Sequence, residues 1–101
     1  MIYTVKISPK ASDALFNRAL HILLNGYPDT ADSYYHGVYA YIGIVLSNNP
    51  KKFRPRDKSK TIRLAIYNKT TLIAYIVDDD STTVTVIDIF NAREDYTRRL
   101  R

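Results

Sequence analysis

The stretch Lys60–Phe90 constrains the fold most, because its pattern predicts three consecutive β-strands. The first, Thr61–Tyr67, alternates strongly apolar residues with other side chains, which is the period of a half-buried strand. The second, Thr71–Val77, is almost continuously apolar, as expected of a central strand covered on both faces. The third, Thr82–Phe90, is rich in β-branched residues. Short polar turns separate the three strands, so we predict an antiparallel meander.

The first half of the chain predicts one strand and two helices. Ile2–Ile7 alternates apolar and polar side chains, and we expect this strand to dock on the meander. Ser8-Pro9 predicts a helix start, because serine can cap a helix and proline fits its first position; Asn25-Gly26 predicts the end. A second helix is predicted from Thr30 to about Ser47, before Asn48-Asn49-Pro50. The short connection predicts an antiparallel helical hairpin over one face of the sheet.

Two glycines lie inside the second predicted helix. Gly37 and Gly43 each cost roughly 1 kcal/mol of helix propensity relative to alanine. We therefore expect both to allow close packing against the first helix or the sheet. The buried stripe of this helix is predicted to contain Tyr34, Val38, Tyr41, Ile42 and Val45.

The order of elements predicts an α+β fold in one domain, residues 1–101. It consists of a strand, an antiparallel helical hairpin, a three-stranded antiparallel meander and a short C-terminal segment, Asn91–Arg101. The chain contains no cysteine, which excludes disulfides and cysteine-based metal sites and is compatible with a reducing compartment. It shows neither the apolar core of a signal peptide nor a run of ~20 apolar residues. We expect a soluble cytoplasmic protein that does not enter the membrane.

The net charge of +5 is concentrated in the second half of the chain. Residues 1–50 carry three basic and three acidic side chains, so their charges cancel. Between positions 51 and 63 only Asp57 opposes a run of seven basic residues, namely Lys51, Lys52, Arg54, Arg56, Lys58, Lys60 and Arg63. This asymmetry predicts a polyanionic or acidic partner. The alternative is a solvated basic surface that only aids solubility.

A candidate anion site follows from the position of these residues along the predicted meander. Arg63 projects from the face opposite Ile62 and Leu64, and we expect it on the open face of the sheet. Lys58 and Lys60 approach from the preceding loop, and Arg93 follows the third strand. Such a cluster can neutralise phosphates. Two aromatic side chains in the same part of the sequence can stack on unpaired bases, Tyr67 and Tyr96.

Other kinds of chemistry have weaker support in the sequence. Arg63 and Arg93 can instead pair with nearby carboxylates and tie down the end of the chain, with Asp88, Glu94 or Asp95 as partners. The acidic run Asp78–Asp80 is read as a solvated hairpin turn, and His21 and His36 lack metal-ligand spacing. Neither a nucleophile motif nor a glycine-rich phosphate loop is present. We therefore expect no metal and no cofactor.

Four segments together resemble the RelE/ParE superfamily of toxins, in matching order and spacing across nearly the whole chain: Tyr3–Ala11, Leu46–Pro50, Ile73–Asp79 and Val86–Asp95. Members of this family are small basic toxins of type II toxin–antitoxin modules. The resemblance implies the fold predicted above, a cognate acidic antitoxin and a toxin–antitoxin hetero-oligomer. RelE-like members cut mRNA in the ribosomal A site with basic residues and often a tyrosine. ParE-like members inhibit DNA gyrase and are not nucleases.

The resemblance also implies candidate catalytic positions. Arg63 and Arg93 fall near basic catalytic groups of RelE-like toxins, and Lys60 is a looser match. Cleavage needs a base for the ribose 2′-OH and cations for the developing charge, so Lys60, Arg63, Arg93 and Tyr96 are the catalytic candidates if the chain is a nuclease.

Two departures favour the ParE-like branch. Thr71 or Leu72 stands where RelE-like members carry an arginine early in the central strand. Arg99 stands at the position of their C-terminal tyrosine, and Tyr96 lies one turn earlier. We therefore favour a toxin that inhibits DNA gyrase. The alternatives are a ribosome-dependent mRNA endoribonuclease and a non-toxic nucleic-acid- or protein-binding module on the same fold.

Overall fold

A computed structural model describes residues 2–91 of the chain. Its elements in order are β1 (Thr4–Ile7), α1 (Pro9–Leu24), α2 (Pro28–Tyr41), a π-helix (Ile42–Leu46), β2 (Arg63–Tyr67), β3 (Thr71–Asp78) and β4 (Thr83–Asn91). The predicted α+β order is confirmed across this range. The predicted C-terminal segment lies outside the described residues, apart from Asn91 at the end of β4.

The four strands form one mixed sheet in the order β1-β4-β3-β2. The predicted meander is confirmed, because β2 pairs with β3 and β3 with β4, both antiparallel. The predicted first strand docks on it as expected: β1 pairs in parallel with β4, with Val5 opposite Val84. The two helices lead from β1, at one edge of the sheet, to β2, at the other edge, and β2 and β3 then bring the chain back to β4. No helix within residues 2–91 is long and apolar enough to cross a membrane.

The capping of α1 follows the sequence pattern. The Ser8 hydroxyl accepts a hydrogen bond from the Ala11 amide at 3.1 Å, and Pro9 occupies the first turn. The helix ends at Leu24, and Gly26 has a φ of 92°, a backbone conformation that favours glycine. This turn leads α1 directly into α2, which forms the predicted hairpin.

The two glycines of the second helical region have different surroundings. A Cβ on Gly37 would overlap the hydroxyl of Tyr67 on β2, so close packing against the sheet is confirmed there. A Cβ on Gly43 would meet nothing within 4 Å, so the packing prediction is wrong for that glycine. Gly43 lies in the π-helix that replaces the end of the predicted α-helix.

The main core lies between the helical hairpin and one face of the sheet. Its fully buried side chains include Leu15, Val38, Ile42, Leu46, Ile73, Tyr75, Val84 and Val86. The side of β2 that packs against the helices carries Ala65 and Tyr67, and Arg63 shares that side because it lies opposite Tyr75. Our placement of Arg63 on the open face was therefore wrong.

The opposite side of the sheet carries a second apolar cluster around Leu64, Ala74 and Phe90. From the sequence we assigned Leu64 to the face that the helices cover. That assignment failed because β2 has apolar residues on both of its faces, so alternation alone does not identify the covered face. Ile66, which shares a face with Leu64, is 44% exposed. In the central strand, Ile73 to Tyr75 are buried in succession, as predicted for coverage on both faces, whereas Ile76 is 38% exposed.

Candidate anion-binding site

Residues 50–62, here the basic loop, connect the π-helix region to β2 and are anchored at several points. The buried Tyr75 hydroxyl donates a hydrogen bond to the Pro50 carbonyl at 2.6 Å. The Arg63 guanidinium donates to the Phe53 carbonyl at 2.7 Å, and Pro55 forms a β-bridge with Arg63. Burial raises the pKa of Tyr75 to about 12, so its hydroxyl remains a donor at neutral pH. These contacts fix the loop against the sheet.

A second anchor organises the end of the basic loop around one carboxylate. Asp57 accepts hydrogen bonds from the Ser59 hydroxyl, from the backbone amides of Thr61 and Ile62, both at 2.8 Å, and from the Thr61 hydroxyl. These bonds, led by that of Ser59, hold the pKa of Asp57 well below its usual range. The turn places Lys60 at a φ of 61°, in the left-handed region that side chains seldom adopt.

Three predicted site residues meet beside this turn. A cavity of about 400 Å³, here the basic cavity, is lined by Lys51, Lys60, Thr61, Arg63, Ile76, Val77 and Asp79. Lys51, Lys60 and Arg63 thus come together although they span the whole length of the loop. The other predicted cations of the loop are exposed and do not line the cavity: Lys52, Arg54, Arg56 and Lys58.

Asp79 is the acidic member of this cavity, and sequence reasoning missed it. Its carboxylate accepts a hydrogen bond from Lys51 Nζ and another from the Tyr3 hydroxyl, both at 2.8 Å. The hydrogen bond from Lys51, followed by that from Tyr3, lowers the pKa of Asp79. Asp79 belongs to the acidic run that the sequence presents as a solvated turn. Its partners are distant in sequence, so no local signal identifies it.

The remaining cations of the cavity have no acidic partner within residues 2–91. No carboxylate in that range lies within 4 Å of Lys60 or Arg63. The alternative that Arg63 pairs with Asp88 is wrong, because Lys10 Nζ lies 3.6 Å from the Asp88 carboxylate instead. The alternative pairings of Arg93 with Asp88, and of either arginine with Glu94 or Asp95, involve residues outside the described range.

Other sequence-predicted residues are placed as follows. Arg93 and Tyr96 lie outside the described residues, so Lys60 and Arg63 are the catalytic candidates that the structure brings together. Tyr67 packs edge-on against Tyr34 and Tyr41, with ring centroids 6.4 and 5.3 Å away. Its ring is therefore part of the packing between sheet and helices, not a platform for base stacking. Across residues 2–91, no three His, Cys, Asp or Glu side chains are positioned to hold a metal ion.

A second surface lies on the helical hairpin. A cavity of about 450 Å³, here the hairpin groove, is lined by Phe16, Ala19, Leu20, Leu23, Pro28, Ala31, Asp32 and Tyr35. Phe16 is 55% exposed and Leu23 45% exposed, which is unusual for large apolar residues. Phe16 and Leu20 are spaced four residues apart on α1, which is typical of a buried apolar stripe, so the sequence gave no sign that both side chains remain exposed beside α2.

No protein-family profile and no curated protein matches the chain. Solved structures do match it. A chain of the toxin–antitoxin complex RelBE2 from Mycobacterium tuberculosis is 20% identical with a TM-score of 0.69, over 93% of this chain and 95% of that one. A chain of the chromosomal ParDE toxin–antitoxin system from P. aeruginosa is 15% identical with a TM-score of 0.73, over 89% and 96%.

A third match is HP0894 from Helicobacter pylori, described as a conserved hypothetical protein. It is 18% identical with a TM-score of 0.56, over 93% of this chain and 98% of that one. Identities this low establish a shared architecture rather than a shared activity. The strand, helical hairpin and meander nevertheless extend along almost the full length of each matched chain. The protein therefore has the fold of the RelE/ParE superfamily.

Proposed function

We propose that the chain is the toxin of a type II toxin–antitoxin module, that it arrests growth by inhibiting DNA gyrase, and that a cognate acidic antitoxin neutralises it in a cytoplasmic hetero-oligomer. The observation that carries this proposal is the fold, which matches chains of the RelBE2 and ParDE toxin–antitoxin systems over 93% and 89% of this chain. The concentration of positive charge in the basic loop supports an acidic partner.

The antitoxin has two surfaces of different chemistry to bind. The hairpin groove offers exposed apolar side chains, chiefly Phe16, Leu20 and Leu23, against which an amphipathic helix can bury its own apolar face. The basic loop offers exposed cations to acidic residues of the same partner. Apolar anchors supply most of the binding energy of such interfaces, while charges at the rim govern association rate and salt dependence.

The choice of gyrase over mRNA cleavage is supported by the chemistry of the basic cavity. A general base works best when its pKa lies near the operating pH. Asp79 is the carboxylate that lines this cavity, and its hydrogen bonds to Lys51 and Tyr3 shift its pKa away from neutrality. Asp79 is therefore a poor acceptor for a ribose 2′-OH proton. This adds to the two departures from the RelE-like pattern in the sequence.

A ribosome-dependent mRNA endoribonuclease is the second candidate. It is favoured by one observation: Lys51, Lys60 and Arg63 line the same cavity, where cations can stabilise charge on a phosphate. In that case Lys60 and Arg63 act together with Arg93 and Tyr96. A non-toxic binding module on the same fold would use the basic loop and the hairpin groove without arresting growth.

The experiment is inducible expression of the chain, alone and together with each adjacent open reading frame. We expect growth arrest that an adjacent product relieves, and we expect the two proteins to co-purify at ~150 mM salt, where screening is roughly physiological. A Phe16→Asp/Leu20→Asp chain serves as control, because it should still arrest growth but escape the rescue. Unimpaired growth on expression of a folded chain would favour the non-toxic module.

A further inference from the structure

We propose that a cavity on the side of α1 away from the hairpin groove binds one carboxylate of the acidic antitoxin through Arg18 and His21, so that the antitoxin contacts α1 on both sides. The charged contact rests on the proposed function and adds to the apolar contacts of the groove. A small carboxylate tests it on the purified chain alone, so its failure and that of the proposed function are distinguishable.

This cavity, here the Arg18 pocket, has a volume of about 290 Å³ and is bounded by α1 and the end of β4. Polar side chains line it from α1, namely Asn17, Arg18 and His21, whereas Ile89 and Phe90 line it from β4. Hydrogen-bond donors beside an apolar wall suit a carboxylate carried on a short aliphatic stem. The lining therefore resembles a binding site for an acidic side chain.

Arg18 is a cation without an acidic partner in the described chain. It is half-buried, yet no carboxylate among residues 2–91 lies within 4 Å of it. Arginine is mostly exposed in folded proteins, and where it is withdrawn from water it is usually paired. A planar guanidinium can bind a carboxylate through two parallel hydrogen bonds. The pocket therefore favours a carboxylate as its ligand.

His21 adds a hydrogen-bond donor to the same pocket. Its Nε2 lies 3.2 Å from Asn25 Nδ2, an amide nitrogen that can only donate, so Nε2 accepts this bond. The same amide also donates to the His21 carbonyl at 3.0 Å, which orients it. The ring proton therefore lies on Nδ1, where it can be donated to a ligand.

The Arg18 pocket and the hairpin groove lie on opposite sides of α1. Arg18 and His21 line the pocket, whereas Phe16 and Leu20 line the groove. Phe16 and Arg18 are two residues apart, which corresponds to about 200° around an α-helix. The surface between the two sides is exposed at Asn17. A single polypeptide segment can therefore fill the groove and cross α1 to reach the pocket.

The width of α1 sets the spacing that such a segment needs. An α-helix with its side chains is about 10 Å wide, and an extended chain advances about 3.3 Å per residue. The path over the outer surface of the helix is somewhat longer than its width. We therefore expect about four or five residues between the apolar anchor of the antitoxin in the groove and its acidic residue in the pocket.

The charges around the pocket favour a polypeptide over a nucleic acid. Residues 1–50 carry as many acidic as basic side chains, so this half of the chain has no net attraction for a polyanion. Asp13 and Asp32 are exposed on the same helical hairpin and would repel a run of phosphates. One guanidinium and one imidazole N–H instead match a single carboxylate.

The first test adds the α-amide of N-acetyl-glutamate to the purified full-length chain and follows binding by NMR. The corresponding glutamine compound is the uncharged control. The glutamate probe alone should shift the side-chain resonances of Arg18 and His21, and its affinity should fall ~10-fold in Arg18→Gln. Lys6→Gln, which removes a charge from an exposed residue of β1, should leave the affinity unchanged. Equal binding of the two probes, or equal losses in the two variants, would overturn the pocket as a carboxylate site.

Dimethyl phosphate, which carries one charge as a nucleic-acid linkage does, identifies the class of ligand. It should bind more weakly than the glutamate probe, because a phosphodiester oxygen is less basic than a carboxylate oxygen. Tighter binding of dimethyl phosphate at the same resonances would contradict the assignment to a protein carboxylate.

The second test uses the complex with the adjacent gene product. Arg18→Gln should weaken this complex ~10-fold. It should not lower the unfolding midpoint of the free chain, because no ion pair within residues 2–91 is lost. Exchanging one particular acidic residue of the antitoxin for its amide should weaken the complex similarly, and should have no further effect on the Arg18→Gln chain. Losses that add to that of Arg18→Gln for every acidic residue of the antitoxin would overturn the proposed contact.

Discussion

The hairpin groove and the basic cavity differ in nearly every physical property. The groove belongs to the half of the chain whose charges cancel, and its lining is apolar apart from Asp32 and the Tyr35 hydroxyl. The cavity belongs to the half that carries the whole net charge, and three cations line it. One small fold therefore presents a surface suited to affinity through desolvation and another suited to electrostatic attraction.

The largest effect is expected from placing a charge in the groove. Phe16→Asp with Leu20→Asp should weaken antitoxin binding ~100-fold or more, because apolar anchors at the centre of an interface carry most of its energy. Both side chains are substantially exposed, at 55% and 37%, so the fold should tolerate the change. The measurement is the dissociation constant by calorimetry at two salt concentrations.

The control for that experiment is Ile44→Asp. Ile44 is 66% exposed and lies on the π-helix, away from the groove. Its replacement should leave the dissociation constant within ~2-fold, the scatter expected of energetically neutral surface positions. Equal losses from the two changes would mean that the groove is not the antitoxin surface.

The next effect concerns the packing contact between the helical hairpin and the sheet. Gly37→Ala should destabilise the fold by about 2 kcal/mol, within the usual range for overpacking, because the new methyl group overlaps the Tyr67 hydroxyl. The measurement is the free energy of unfolding in urea. Tyr67→Phe in the same chain removes that hydroxyl and should restore part of the loss. No recovery in the double variant would place the strain elsewhere.

Much of the fold could be predicted from the sequence, because its signals are local. The capping by Ser8 and Pro9, the stop at Gly26 and the change of apolar period each act within a few residues. The face of the sheet that carries Arg63 could not be predicted, because β2 has apolar residues on both sides and only the packing of the helices distinguishes the two faces. The role of Asp79 could not be predicted either, because its contacts with Tyr3 and Lys51 arise from tertiary structure.

A smaller effect is expected from reversing charge on the basic loop. Arg54→Glu with Lys58→Glu should lower the association rate with an acidic antitoxin by ~10-fold at low salt, and the loss should shrink as salt screens the charges. The dissociation rate should change little, because these side chains are exposed. Stopped-flow mixing over a salt series measures both rates. A charge reversal at Lys6, exposed on β1, serves as control.

The smallest expected effect is a pH dependence of folding stability that arises in the basic loop. The pKa of Asp57 is lowered in the folded chain, so the stability it contributes is present above the ordinary carboxyl pKa of ~3.9 and is lost as pH falls further, through the folded-state pKa. Asp57→Ala should therefore destabilise the basic loop at pH 7. The stabilities of wild type and variant should begin to approach each other below pH ~4, and the difference should keep shrinking as pH falls towards the folded-state pKa. Urea midpoints at several pH values measure this.

Asp13→Ala provides the comparison for that series. Asp13 is an exposed residue of α1, an element separate from the basic loop. Its replacement should change the free energy of unfolding at pH 7 by no more than ~0.5 kcal/mol, the usual range for an exposed position. A difference between wild type and Asp57→Ala that persists unchanged at pH 3 would mean that the hydrogen bonds of Asp57 do not depend on its charge.

The target of growth arrest is tested most directly by two assays on the same induced culture. One measures plasmid supercoiling and purified gyrase activity, and the other maps cuts on ribosome-bound mRNA by primer extension. If the chain inhibits gyrase, plasmid DNA should lose supercoiling soon after induction, while the ribosome-bound mRNA should remain uncut. Codon-phased cuts that disappear in Arg93→Ala and Tyr96→Phe, with supercoiling unchanged, would contradict gyrase inhibition and assign the chain to the mRNA endoribonucleases.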